Sequence, residues 1–318
     1  MARLEIRPFS AEFLDAAGEL LAARHRAHRA AEPLLPERYE EPAAATELVA
    51  EVADREGTTG VVALRGDRVV GYLLGVRESD ERLGPVVRVD HPGHAVEEAE
   101  DLRDLYAAAA DEWVENGFLR HHARVPATDP ALLDAWYRVD FGQQHAYGLR
   151  AIPEASWPTG VRLATEDDLD ALVALAPLLS EHQAQSPVFV PAAPRQDPDE
   201  LRLDLVEDLA NEELADLVFE RNGRVVAWFH VVPVERSDAH AGVARPVGAA
   251  LLGWAGTERA ARGSGAGLAL TQAAFAWARE RGHEVMVIDW RVTNLLASRF
   301  WPARGFRTTF LRLHRHIP

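Results

Sequence analysis

The sequence predicts two consecutive α+β domains, and three observations lead there. Its 318 residues suit about two domains at roughly 150 residues each. A weak repeat runs through the chain in collinear order. Ile6-Arg7 with Leu14-Asp15-Ala16 returns as Val161-Arg162 with Leu169-Asp170-Ala171, Arg68-Val69-Val70 returns as Arg224-Val225-Val226, and Gly117 and Phe141 return as Gly282 and Phe306. The spacing between the copies widens once, as in a duplicated domain with one short insertion. Finally, each copy mixes strand-like hairpins with helix-like periodic stretches.

Each copy opens on a short strand, Leu4 to Pro8 or Val161 to Ala164, leading into an amphipathic helix capped by Ser10 or Thr165. A second helix follows a Pro-rich loop. A hairpin comes next: Val61 to Leu64, turn Arg65-Gly66-Asp67 and Val69 to Val76 in the first copy, and Leu217 to Glu220, turn Arg221-Asn222-Gly223 and Val225 to Val234 in the second. A further strand precedes a long helix, about Leu102 to Asn116 or Leu268 to Arg281, which Gly117 or Gly282 ends. Another strand, a short helix and a closing strand complete each copy. The stretch Pro153 to Gly160, with two prolines and a glycine, reads as a linker between domains 1–152 and 161–318.

Composition removes whole mechanisms. The chain has no cysteine, and all 34 of its basic residues are arginine, against 50 acidic residues and a formal net charge of −16. Without cysteine there is no disulfide framework, thiolate nucleophile or iron–sulfur cluster. Without lysine there is no Schiff base and no P-loop lysine. The acidity argues against nucleic acid, and no basic stripe offsets it. Met1 to Phe13 has no signal-peptide core, and the longest apolar stretch, Val247 to Ala255, falls well short of the roughly 18 residues that span a bilayer. A soluble cytoplasmic protein with no membrane partner is expected.

In the second copy a strand, Ala249 to Ala255, runs through Thr257 into Arg262-Gly263-Ser264-Gly265-Ala266-Gly267 and then the long helix. Strand, glycine-rich turn and helix N-terminus together form an anion-binding arrangement: backbone N–H groups converge, glycines allow close approach and the helix dipole adds partial positive charge. A dinucleotide fingerprint is a poor reading, because this loop follows an antiparallel hairpin.

The pattern Arg262-x-x-Gly265-x-Gly267, with Asn294-x-x-Ala297 and Phe300-Trp301-x-x-x-Gly305-Phe306 after it, resembles the GNAT acetyltransferase superfamily. The resemblance implies two tandem domains, each a mixed, mostly antiparallel sheet flanked by helices. It implies a sheet splayed between its fourth and fifth strands, with acetyl-CoA or another short acyl-CoA as co-substrate and its pyrophosphate on the Arg262 to Gly267 loop. It implies an amine acceptor on a small molecule or peptide, direct transfer and no metal. The first copy departs from the pattern: at the corresponding place stands Glu97-Glu98-Ala99-Glu100-Asp101, whose carboxylates repel a pyrophosphate. That copy is expected to lack coenzyme binding and to pack with the second as an intramolecular pseudo-dimer.

The catalytic residues are less plain. Family members often carry an acidic tyrosine where this chain has Trp301, and an indole N–H cannot supply a proton. All five tyrosines lie in the first half, so the acid is a first-domain tyrosine, water, or nothing. His230, on Trp228-Phe229-His230-Val231-Val232, and Asp289, ending the fifth strand, are the candidate bases. Asn294 is a coenzyme contact by resemblance and equally suited as a helix N-cap. Gln183, Phe189 and the segment Ser186 to Pro198 stand where the family builds its acceptor pocket, and also read as a flexible loop. His25 and His28 share a helix face without a third metal ligand and read as solvated, while His121-His122 and His314-Arg315-His316 read as surface pairs. The leading expectation is an N-acetyltransferase. A non-catalytic acyl-CoA sensor and a mycothiol-synthase-like enzyme are the alternatives.

Overall fold

The structure, a computed structural model, describes residues 3–80, 83–191 and 196–318. In the first half the elements are β1 (Leu4–Pro8), α1 (Leu14–Ala31), α2 (Pro42–Ala53), β2 (Thr58–Arg65), β3 (Arg68–Asp80), β4 (Gly84–Val89), β5 (His94–Val96), α3 (Asp101–Glu115), β6 (Arg120–Pro126), α4 (Pro130–Tyr137) and β7 (Gly142–Ala151). The second half has β8 (Val161–Leu163), α5 (Leu169–Leu175), α6 (Leu178–Gln183), α7 (Pro198–Ala210), β9 (Ala215–Arg221), β10 (Arg224–Pro233), β11 (Ala250–Thr257), α8 (Ala266–Glu280), β12 (Val285–Arg291), α9 (Leu295–Phe300) and β13 (Arg307–His316). No helix among the described residues is long and apolar enough to cross a membrane.

The chain divides into two compact units whose borders differ from the single break expected at Pro153 to Gly160. Unit 1 takes the described residues up to Tyr147 together with His240–Arg245 and Thr308–Pro318; unit 2 takes Gly148–Ala239 and Pro246–Arg307. The closing strand β13 thus counts with unit 1, where Phe310 to His316 pair antiparallel with Pro126 to Arg120 of β6. Gly148 to Ala151 count with unit 2, where Gly148 lies against the Trp290 ring and Ile152 N–H donates to Glu284 O at 2.8 Å. A periodic pattern predicts that a strand forms; it does not say which sheet edge the strand completes.

In unit 1, β1 to β4 pair antiparallel in sequence order, and β4 pairs parallel with β6. The parallel step needs a crossover, and α3 is that crossover. It packs by a stripe at helical spacing, Leu102, Leu105, Tyr106, Ala109 and Trp113, all buried. Unit 2 repeats the plan. Strands β8 to β11 pair antiparallel, α8 crosses over, and β12 pairs parallel with β11. The buried stripe of α8 is Leu270, Ala273, Ala274 and Trp277.

Local chemistry sets the ends of these elements. Gly117 and Gly282 both take φ of +83°, and the next residues, Phe118 and His283, donate back to Trp113 O and Ala278 O at 3.0 Å, which closes α3 and α8 with left-handed caps. Asn222 and Gly223 turn the β9–β10 hairpin with φ of +54° and +72°, a pair of positive dihedrals matching the strand twist. At Thr165 the Asp168 carboxylate accepts the backbone N–H at 2.8 Å. Ser10 makes no such capping bond; its hydroxyl donates to Glu12 instead.

His25, His28, His121 and His122 of unit 1 are buried, contrary to expectation, whereas His314 and His316 are exposed, as expected. His25 and His28 continue the inward stripe of α1 after Ala17, Leu21 and Ala22, so the phase of the helix decides their burial. His25 Nε2 meets Pro36 O at 2.7 Å, and the His28 ring stands edge-on to Phe310. His121 and His122 are also buried; His121 Nδ1 meets the Tyr106 hydroxyl at 2.8 Å. Desolvation is the main cause that lowers His25 and His121 to about 4, and His28 and His122 to about 3.

Candidate functional site

The parallel pair in unit 2 is short. β11 and β12 meet only at Ala250 with Met286 and Leu251 with Val287. From Leu252 onward, β11 has a strand partner on its β10 side alone, so the sheet opens at this point. Gly253 is the extra residue of a bulge: Val231 pairs with Leu252 and His230 with Trp254. Bulges of this kind bend a strand and re-aim its side chains.

β11 then leads through a single turn, Arg259–Ala261, into the glycine loop. Gly263 and Gly265 take φ of +78° and +92°, a region that side chains disfavour. Around both there is open space, since a Cβ on either would meet nothing within 4 Å. Arg262 to Gly265 are exposed, and Arg262 Nε lies 3.4 Å from Thr257 O, over the loop. The N-cap of α8 is Gly265, which has no side chain to satisfy the first-turn N–H groups. Ala266 is buried, and bare Gly267 leaves room for the Phe300 ring, 3.4 Å from where its Cβ would be. The loop therefore offers backbone donors, a helix dipole and one exposed cation, a cradle for an anion.

His230 stands one strand away. Its Cδ2 is 4.0 Å from the position of a Cβ on Gly253, so the imidazole flanks the bulge. Asp216 on β9 is its cross-strand partner. Asp216 Oδ1 accepts from His230 Nδ1 at 2.8 Å and from Trp228 Nε1 at 2.7 Å. A carboxylate only accepts, so the imidazole proton sits on Nδ1 and its lone pair on Nε2. The His230 side chain is 18% exposed and that of Asp216 only 1%, so a buried carboxylate anchors a partly exposed ring. Burial is the main cause that raises the pKa of Asp208 on α7. Sequence reading missed Asp216, although the hairpin turn had already placed its strand beside His230.

The remaining candidates fall out as follows. Asn294 caps α9, its Oδ1 accepting from Leu296 N and Ala297 N at 3.2 Å, with His182 Nε2 also at 3.2 Å. Trp301 is buried among Phe229, Phe300 and Phe306, an aromatic nest. Asp289 is exposed on β12, two residues beyond the last paired position, and has interactions of its own. Of the expected acceptor segment, Phe189 is exposed, whereas Ala192 to Arg195 lie outside the described residues.

With a sheet parted beside a bulge and a glycine loop entering a long helix, comparison with known proteins becomes decisive. Residues 177–306 match the model of the acetyltransferase (GNAT) family. This segment is a GNAT domain. Across the whole chain the fold is shared with a GCN5-related N-acetyltransferase from Sphaerobacter thermophilus, at 15% identity and TM-score 0.58, covering 98% of this chain and 95% of that one. It is shared also with a GCN5-related glucosamine N-acetyltransferase region of a fungal multi-domain GH3 β-N-acetylglucosaminidase, at 14% identity and TM-score 0.56, covering 99% of this chain and 38% of that one. No curated protein matches the sequence. The two units are tandem GNAT-like domains, with mixed sheets and flanking helices as the resemblance implied.

The GNAT-like unit 1 differs at the equivalent place. β4 stays paired with β6 to its last residue, Val89, so its sheet does not part there. The turn after β4 folds back as β5 onto β3, and the buried Arg24 guanidinium donates to His91 O and His94 O across it. The acidic run before α3 is bound by arginines: Arg68 to Glu97, Arg65 to Glu98 and Asp101, and Arg103 and Arg138 to Glu100.

Proposed function

We propose that this chain transfers an acetyl or other short acyl group from acyl-CoA directly to an amine of a small molecule or peptide, using unit 2. The observation that carries the reading is the parting of β11 from β12 beside a glycine loop whose helix lacks a side-chain cap. Thr257, Arg262 to Gly267 and Asn294 are the residues that would hold the coenzyme, the pyrophosphate on the loop amides and Arg262. Bound there, acyl-CoA supplies a thioester: the amine nitrogen forms the new C–N bond, the C–S bond breaks, and coenzyme A leaves as thiolate.

His230 is the base that this arrangement favours over Asp289. Its Nε2 takes the proton lost by the attacking amine, and Asp216 holds the tautomer and steadies the imidazolium that results. Trp301 supplies no proton, which a thiolate leaving group tolerates. Unit 1 binds no coenzyme in this reading, because its helix start is occupied by paired carboxylates. A second reading, an acyl-CoA sensor without catalysis, draws on the buried Trp301.

Calorimetry with acetyl-CoA tests the site. Binding is expected to be lost in Gly265→Glu and Arg262→Glu and kept in Glu100→Ala; unchanged binding in the first two would sink the assignment. Coenzyme A release across an amine panel, above the hydrolysis background, separates enzyme from sensor.

A further inference from the structure

Apart from the glycine loop and His230, unit 2 holds a cleft of about 600 Å³ along the side of α8. One wall is the helix face around Leu268, Thr271 and Phe275; the others are the chain leaving β7 at Arg150 and the turn Ala303–Gly305. Arg150 and Arg304 both line it. Arg150 lies 4.8 Å over the Phe275 ring, and donates to Arg304 O and, at 3.0 Å, to Ala151 O. Arg304 lies 4.4 Å over the Phe300 ring and donates to Ala303 O.

Neither guanidinium has a carboxylate partner among the described residues. Arg304 Nε is buried with nothing to donate to. Some other arginines of unit 2 pair with acids, Arg162 with Asp168, Arg202 with Asp170 and Arg224 with Glu258. Two cations thus line one cleft and rest on backbone carbonyls instead of carboxylates. Burial, with the charge of Arg307 adding to it, lowers the pKa of Arg150, and an anion would relieve both effects. Glu154, exposed on the linker side of the cleft, bonds to neither.

We propose that this cleft binds a phosphate-bearing small molecule, with Arg150 and Arg304 taking the phosphate and the rest lying against the Leu268–Phe275 face of α8. Two cations without counter-charge match a dianionic phosphate monoester better than a single carboxylate, and the planar guanidinium fork suits its oxygens. Arg150 lies outside the segment 177–306 that matches the GNAT family. The phosphate has two possible sources: the ribose phosphate of the acyl-CoA itself, which rests on the function proposed above, or a separate phosphorylated molecule, which does not.

The probe is adenosine 3′-monophosphate, titrated calorimetrically into the full chain and into Arg150→Gln, Arg304→Gln and Leu268→Glu. Leu268 is 44% exposed, so its substitution places a carboxylate at the rim without burying it. Saturable binding, weakened about tenfold or more in each variant, is expected. Absent binding, or binding indifferent to all three changes, overturns the proposal. The sources are then separated. Arginine variants that weaken acetyl-CoA but not its 3′-dephospho form identify the coenzyme's own phosphate; nucleotide that still binds the acetyl-CoA-saturated chain identifies a separate ligand. Nucleotide binding that survives Gly265→Glu places the cleft apart from the loop, so that either site can fail alone.

Discussion

His230 owes its chemical character to a residue 14 positions away. An imidazole among apolar neighbours is ordinarily structural; one whose Nδ1 is held by a buried carboxylate presents a fixed lone pair. His230→Gln is therefore expected to lower kcat about 10²- to 10⁴-fold while acetyl-CoA affinity stays as in the parent. Asp216→Asn, which keeps the shape and removes the charge, is expected to lower kcat by a smaller factor, again without affecting coenzyme binding. Steady-state kinetics with calorimetry on each variant checks both. An unchanged kcat in His230→Gln would remove this residue from the chemistry and return Asp289 or water to consideration.

Among the elements, the close approach of α1 and α2 depends on one missing side chain. A Cβ on Gly18 would stand 1.9 Å from Thr46 Oγ1 and 2.8 Å from the Thr46 backbone, so the two helices cannot keep their distance if Gly18 is enlarged. Gly18→Val is expected to destabilise the protein by about 2 kcal/mol or more, read as a fall in the denaturation midpoint. The glycine loop before α8 has a different constraint. Gly263 and Gly265 face open space, so size is harmless at these two positions and the positive φ decides. Gly265→Ala is expected to weaken acetyl-CoA about tenfold through backbone strain of roughly 1–2 kcal/mol, and titration against the parent protein measures it.

At the scale of the whole chain, the two GNAT-like units differ at the start of their long helices, where unit 2 has the glycine loop and unit 1 has carboxylates paired with arginines. One acetyl-CoA per chain is the expected stoichiometry, and a calorimetric value near two would show that unit 1 has kept a site. Unit 1 also carries the acid sensitivity. Its buried His25, His28, His94, His121 and His122 hold depressed pKa values of about 3 to 4, mainly through desolvation. A histidine whose folded value lies below its unfolded value of about 6.5 takes up its proton more readily when unfolded. Stability is thus complete above about pH 6.5 and falls as pH drops toward 4, by about 1.4 kcal/mol per pH unit for each such histidine. Denaturant unfolding at pH 7.5 and pH 5 tests this. Equal midpoints would mean that these rings are hydrated in solution.

Much of this was legible in the residues themselves. The hairpin turns, the glycine caps of α3 and α8 and the loop Arg262 to Gly267 follow from local backbone preference and short-range pattern, which a sequence determines by itself. The burial of His25 and His28 was legible too, had the helical stripe been followed past its apolar members. The tertiary structure alone decided the rest. Arg221 pairs with Arg224 at the turn, and an unbroken register from there would set Asp216 opposite Phe229; the bulge at Val226 moves it opposite His230. One extra residue therefore puts carboxylate and imidazole on the same face. Likewise β13 carries the pattern of a closing strand for either half, and its pairing with β6 is what counts it with unit 1. Register and edge choice depend on contacts between distant segments, which no local pattern contains.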